Sequence, residues 1–123
     1  MANPLTKRSE RFDPKLVYRV LVEATAIADA KEYASFNKDT HQNPVAAARW
    51  LNELESAISG LSELPRRFRV IDEQAHFDLE LRQFLHYSHR VIFHVSEATG
   101  TVHVIRIYHA NRDELHLDQV DFR

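Results

Sequence analysis

The chain has 123 residues, 44% hydrophobic and 28% charged, the profile of one soluble globular domain long enough to enclose a core. A formal net charge of −2 argues against non-specific nucleic-acid binding, which draws on many Lys/Arg–phosphate contacts, and the absence of cysteine excludes disulfides, thiolate metal sites and a cysteine nucleophile. No apolar run approaches the roughly 20 residues that span a bilayer, and the polar start MANPLTKRSERFDPK has no signal-peptide core, so a cytoplasmic location is expected.

Residues 1–16 are polar and hold Pro4 and Pro14; they read as a flexible arm outside the fold. Residues 17–22, VYRVLV, form a first strand with both faces largely apolar. From Thr25 the spacing turns helical. Ala26, Ile27, Ala30, Tyr33 and Ala34 share one side, Asp29, Lys31 and Glu32 lie off it, and Thr25 stands where an N-cap belongs. A polar break follows over residues 37–42.

Asn43-Pro44 is a helix start signal, with Asn as cap and Pro at the first helical position, where no amide is missed. Ala47, Trp50, Leu51, Leu54, Ala57, Ile58 and Leu61 then trace one apolar stripe to about Ser62, with Trp50 reading as core. Gly60 and Leu64-Pro65 end it. The two helices form a hairpin whose apolar side covers a sheet. The connection from Arg66 to Phe77 carries the densest basic cluster, Arg66-Arg67-Phe68-Arg69.

Three alternating segments close the fold: residues 79–85, His89–Ser96 and Thr101–His109, the last two joined by Glu97-Ala98-Thr99-Gly100. Period-two alternation broken by a glycine turn predicts an antiparallel hairpin. Strict alternation sorts Leu79, Leu81, Val91, Phe93, Val95, Val102 and Val104 to a core face. Glu80, Arg82, Arg90, Ile92, His94, His103, Ile105, Ile107 and His109 fall on the other. That second face joins apolar area to charges and imidazoles, as a recognition surface would, and equally matches the solvated side of an ordinary antiparallel sheet. Alternation places Arg106 on the core face unless a bulge redirects it. The acidic tail 116–123 lies beyond. There is no phosphate-binding glycine loop, no HExxH and no Ser/His/Asp set. His94 and His103 are neighbours without further ligands, so neither metal nor cofactor is expected.

The order β-α-α-β-β-β over residues 17–115 is an α+β fold, a helical hairpin packed on one face of an antiparallel sheet. VYRVLV, Ala26, Asp29-Ala30 and Tyr33-Ala34 mark its first half, with Ala48-Arg49-Trp50, Leu54, Ala57-Ile58, Leu61 and Leu64-Pro65 after them. Together with Leu81-Arg82, HRVIFHV and VHVIRIYHANRD, they resemble the RelE/ParE toxins of type II toxin–antitoxin (plasmid stabilisation) modules.

The resemblance implies a cognate antitoxin as partner, an oligomer with it, and one of two targets. RelE-like members are ribosome-dependent mRNA endoribonucleases. Arg90 matches the family arginine that contacts the scissile phosphate, and His109 would be the proton-transfer group; Arg90→Ala would then abolish cleavage with the fold intact. However, the strand positions where RelE has lysines match Asp78 and Glu80. ParE-like members inhibit DNA gyrase without a catalytic set. The acidic balance and the ending VIRIYHANRD favour that reading, with Arg82, Arg106, Tyr108 and Arg112 as target-binding residues. A non-toxic protein-interaction domain of the same fold is the further alternative.

Overall fold

The computed structural model describes residues 17–40 and 43–110; the N-terminal arm and the C-terminal tail lie outside the described residues. The elements are β1 (Arg19–Val22), α1 (Ala24–Thr40), α2 (Pro44–Ser59), β2 (Arg82–His86), β3 (His89–Ser96) and β4 (Thr101–His109), which is the expected α+β order. Three short 3₁₀ turns, Gly60–Ser62, Pro65–Arg67 and Asp72–His76, lie between α2 and β2.

Local signals set α2. The Asn43 side chain accepts a bond from the Ala46 amide at 3.1 Å, and Pro44 occupies the first turn. Ala47, Trp50, Leu54 and Ile58 are the buried stripe, and Leu61 extends it through the Gly60–Ser62 turn. Asn43→Ala should cost about 1 kcal/mol, the usual worth of such a cap. Urea unfolding measures this, and an unchanged midpoint would show that the cap contributes nothing.

The start of α1 differs from the sequence expectation. The helix begins at Ala24, and the Thr25 hydroxyl donates instead to the Ile105 carbonyl at 2.8 Å. The reason lies in the sheet. β1 stops at Val22, which leaves the edge of β4 beyond Val104 without a strand partner. The entrance of α1 supplies one: Glu23 N donates to Val104 O at 2.8 Å, Thr25 follows, and the Asp29 carboxylate accepts from Ile107 N at 2.9 Å. The backbone groups of β4 are thus satisfied by a helix where the strand runs out. α1 also continues to Thr40, through most of the polar stretch read as a break.

The sheet order is β1-β4-β3-β2. β2, β3 and β4 form the antiparallel meander, while β1 pairs parallel to β4, so the sheet is mixed. The helical hairpin is the long crossover that a parallel pair requires. Both hairpin turns of the meander use left-handed backbone. Gly100 has φ 63° at the β3–β4 turn, as glycine allows, and Tyr87 has φ 56° in the two-residue turn between β2 and β3.

Strict alternation fails at one point in β4. Phe93 pairs with Val104 but Ile92 pairs with Arg106, so Ile105 is an extra residue, a β-bulge. Every side chain beyond it changes face. Ile107, expected on the second face, packs instead into the main core with Val91, Phe93, Val95, Val102 and Val104 beneath Ala26, Ala30, Trp50 and Leu54. His109 likewise lies opposite His89 on the helix side. The adjacent apolar pair Val104-Ile105 was the sequence trace of this phase slip.

The second face is not an open surface. Ile92 and Ile105, 0% and 1% exposed, form a smaller core with Ile71, Phe77, Leu81 and Tyr108. The connection read as a mere link covers that face. It is fastened by Ile71 N to Leu81 O and Gln83 N to Arg69 O, each at 3.0 Å, and by the Gln74 side chain, which receives Leu81 N at 2.7 Å. Leu79 and Leu81 therefore belong to this second core, not to the helix-covered one. Arg82, opposite Phe93, belongs to the helix side.

Candidate functional site

Two places gather ionisable side chains, one on each side of the sheet. On the connection side, Arg90 projects from β3 toward the Asp72–His76 turn. Its Nη1 and Nη2 donate to the two oxygens of Glu73 at 2.8 Å each, and its Nε donates to Gln83 Oε1 at 2.9 Å. The side chains of Arg90 and Glu73 are 12% and 6% exposed, so this is a buried fork-to-fork ion pair. It opens on a cleft of about 380 Å³ lined also by Arg69, Asp72, Leu85 and Ala110. Glu73 was not legible as a site residue; only the apolar Val70-Ile71 and Phe77 around it mark the connection as something that packs on the sheet.

On the helix side, His89 and His109 face each other with ring centroids 5.0 Å apart. They line a cleft of about 230 Å³ with Asp29, Glu32, Tyr33, Phe36 and Ile107. His89 is 4% exposed and meets Tyr33 and Trp50 edge-on at 4.3 and 5.2 Å. Burial first, then the His109 and His86 imidazoles, lower its pKa to about 4; the Asp29 carboxylate opposes this. His89 is accordingly neutral at pH 7. His86 holds the Trp50 carbonyl through Nε2 at 3.1 Å.

The two residues that a nuclease would combine are therefore not brought together: Arg90 is on the connection side and His109 on the helix side of the same sheet. Arg106 reaches Asp29 through Nε at 2.7 Å and Nη2 at 2.9 Å, which raises its pKa above the ordinary guanidinium value. The bulge settles its position at the free edge of β4. Tyr108 is 2% exposed in the second core, with the Arg106 guanidinium 5.5 Å from its ring. Arg82 donates to the carbonyls of Arg66 and Phe68 and lies 3.3 Å from Glu80. Arg112 lies outside the described residues.

The basic cluster is likewise engaged within the chain. Arg66 bridges Glu80 and Glu97 at 2.9 and 2.8 Å, Arg67 donates to the carbonyls of Glu63 and Leu64, and Arg69 pairs with Asp72 at 2.9 Å. Tyr18 joins the network by donating to both Glu97 oxygens, tying β1 to the β3–β4 turn. The bonds from Arg66 hold the Glu97 carboxyl below the usual range. Among the described residues, no group of three His, Cys, Asp or Glu side chains is placed to hold a metal ion, and no helix is long and apolar enough to cross a membrane.

A helical hairpin packed on a four-stranded mixed sheet is thus the α+β frame that carries both clusters. Residues 20–114 match the family described as ParE toxin of type II toxin-antitoxin system, parDE. The chain belongs to that family. Among solved structures it is similar to a chain of the chromosomal ParDE toxin–antitoxin system from P. aeruginosa, with a TM-score of 0.64 at 12% identity, covering 79% of this chain and 100% of that one. It is also similar to a chain of the RelBE2 toxin–antitoxin complex from Mycobacterium tuberculosis, with a TM-score of 0.50 at 19% identity, covering 76% and 98%. At such identities these likenesses concern the fold. No curated protein matches the chain in sequence.

Proposed function

We propose that the chain is a cytoplasmic toxin that inhibits DNA gyrase by binding it, and that a cognate antitoxin neutralises it in a stable complex. One observation carries the preference over mRNA cleavage. Each nitrogen of Arg90 donates to Glu73 or Gln83, across the sheet from His109. Phosphoryl cleavage needs a charge-stabilising group and a proton-transfer group within reach of the same phosphate. Inhibition by binding needs only a complementary surface. Arg106 and Tyr108 then serve by shaping the C-terminal exit of β4, Arg82 would add a separate contact from the start of β2, and Arg112, next but one after Ala110, would contact the target.

The antitoxin would lay an amphipathic helix in the apolar cleft between α1 and α2. That cleft, of about 520 Å³, is lined by Val22, Ala26, Ile27, Leu51, Ile58 and Ile107, and Ile27 there is 42% exposed.

Purified chain should inhibit gyrase supercoiling of relaxed plasmid and leave no codon-associated cuts in a translation-coupled mRNA cleavage reaction. Addition of the antitoxin should restore supercoiling. Ribosome-dependent cuts with unimpaired gyrase would replace this reading with the nuclease.

A further inference from the structure

Asp29, Glu32, Tyr33 and Phe36 stand at i, i+3, i+4 and i+7 of α1, so one side of the helix carries all four. β3 and β4 set His89 opposite His109, and these six side chains line the cleft of about 230 Å³. Its floor is aromatic. The Tyr33 ring centroid lies 4.6 Å from that of Trp50 and 4.3 Å from that of His89, which in turn lies 5.0 Å from His109. Phe36, 51% exposed, stands at the rim.

Two observations point to a ligand. Asp29 is committed to Arg106 and to Ile107 N, so the charge that the cleft presents is the exposed carboxylate of Glu32. His89 is buried and neutral at pH 7, and its Nδ1 has no hydrogen-bond partner among the described residues. With the ring proton on Nε2, that nitrogen can only accept. A carboxylate, ring faces and an acceptor together suit an organic cation, which the ring quadrupole attracts and the carboxylate neutralises. A metal ion fits less well, since no group of three ligands forms among the described residues. Guanidinium fits best among organic cations, because it is flat and stacks on a ring while donating in its own plane.

Position identifies the source of that cation. Ile107 lines this cleft and also the groove between α1 and α2, and the α1 residues of the cleft follow those of the groove along the helix. We propose that the cleft receives an arginine side chain of the antitoxin, its guanidinium laid against the Tyr33 and Phe36 rings and paired with Glu32. This rests on the proposed antitoxin complex and deepens it. Apolar area holds the antitoxin helix in the groove, and the cleft fixes its register by reading one basic residue.

The test uses the full chain and a minimal ligand. N-acetyl-arginine N-methylamide is titrated at constant ionic strength while the Tyr33, Phe36, His89 and His109 ring resonances are followed in carbon-13 spectra. Saturable shifts are expected with the arginine amide, smaller ones with the lysine amide, and none with the citrulline amide, which keeps the shape without the charge. Glu32→Gln and Phe36→Ala, both at exposed positions, should each weaken binding about two- to fivefold, the worth of an exposed ion pair or cation–ring contact. Circular dichroism should show both variants folded. In the antitoxin complex the arginine amide should no longer move these resonances.

Equal shifts with the citrulline amide would overturn the cation site, as would an arginine response that both variants leave at wild-type strength. A response that persists in the antitoxin complex would overturn the antitoxin as occupant. So would a response seen only in Arg112→Ala, which would place the chain's own C-terminal segment in the cleft. If no antitoxin complex forms, the proposed neutralisation fails and the occupant with it, whereas a failed titration beside an intact complex removes the cleft alone.

Discussion

Replacing Arg90 with alanine is expected to destabilise the domain by about 3–5 kcal/mol, the cost of stranding one member of a buried, hydrogen-bonded ion pair. Glu73 would keep its burial and lose the two Arg90 donors, and Gln83 Oε1 would lose its bond from Arg90 Nε. The surface pairs Arg69–Asp72 and Arg66–Glu80 are different. Their side chains are 43–85% exposed, and such pairs contribute about 0–1 kcal/mol each. Urea unfolding of Arg90→Ala, Glu73→Ala and the double variant separates the pair from its members. The two single changes should be strongly non-additive, because the second removes the stranded charge left by the first. A joint change to apolar residues of similar volume, Arg90→Met with Glu73→Leu, should come close to wild-type stability. A loss below about 1 kcal/mol in Arg90→Ala would mean that water solvates the pair more than its burial indicates.

This changes how an activity test at Arg90 must be read. Taken from the sequence, Arg90→Ala removes a phosphate contact and leaves the fold intact. In the structure the same change loosens the connection from the sheet, and loss of any activity would follow from either cause. Glu73→Gln is the better probe of chemistry, since it keeps the side-chain volume and cancels the charge.

Acidification is expected to weaken the domain by about 3 kcal/mol between pH 6.5 and 4 through His89 alone. Its folded pKa of about 4 lies below the ordinary 6.5 because the ring is desolvated against Tyr33 and Trp50 and faces the His109 and His86 imidazoles. Between those values the unfolded chain binds a proton that the folded chain refuses, so stability rises with pH across the window. The contribution is fully present above pH 6.5 and is lost as pH falls through 4. Glu97, whose pKa is lowered first by its bond from Arg66, likewise contributes stability that acid removes. Urea midpoints from pH 7 to 4 should fall steeply in wild type and less in His89→Phe, which preserves the ring contacts without the proton. Parallel pH profiles for the two proteins would remove His89 as the cause.

What the sequence determined by itself was whatever is decided within a few residues. The cap at Asn43 acts over three residues, the stripe from Ala47 to Ile58 over about three turns, and the Gly100 turn within one hairpin. These are local balances of backbone conformation and side-chain periodicity, and the element order and helix-covered core follow from them. The faces of β4 were different. One extra residue, Ile105, reverses every side chain after it, because the strand period is two and a single insertion shifts the phase.

Only the tertiary structure decided which charges meet. Arg106 finds Asp29 across 77 positions, Tyr18 finds Glu97 across 79, and Arg90 finds Glu73 across 17 through a connection with no periodic signal of its own. A charged side chain in a sequence has many possible partners at equal intrinsic affinity. Packing selects among them, since only the pair brought together out of water interacts strongly enough to matter. The residues of the expected site were therefore legible as residue types, while their assignment to opposite sides of one sheet was not.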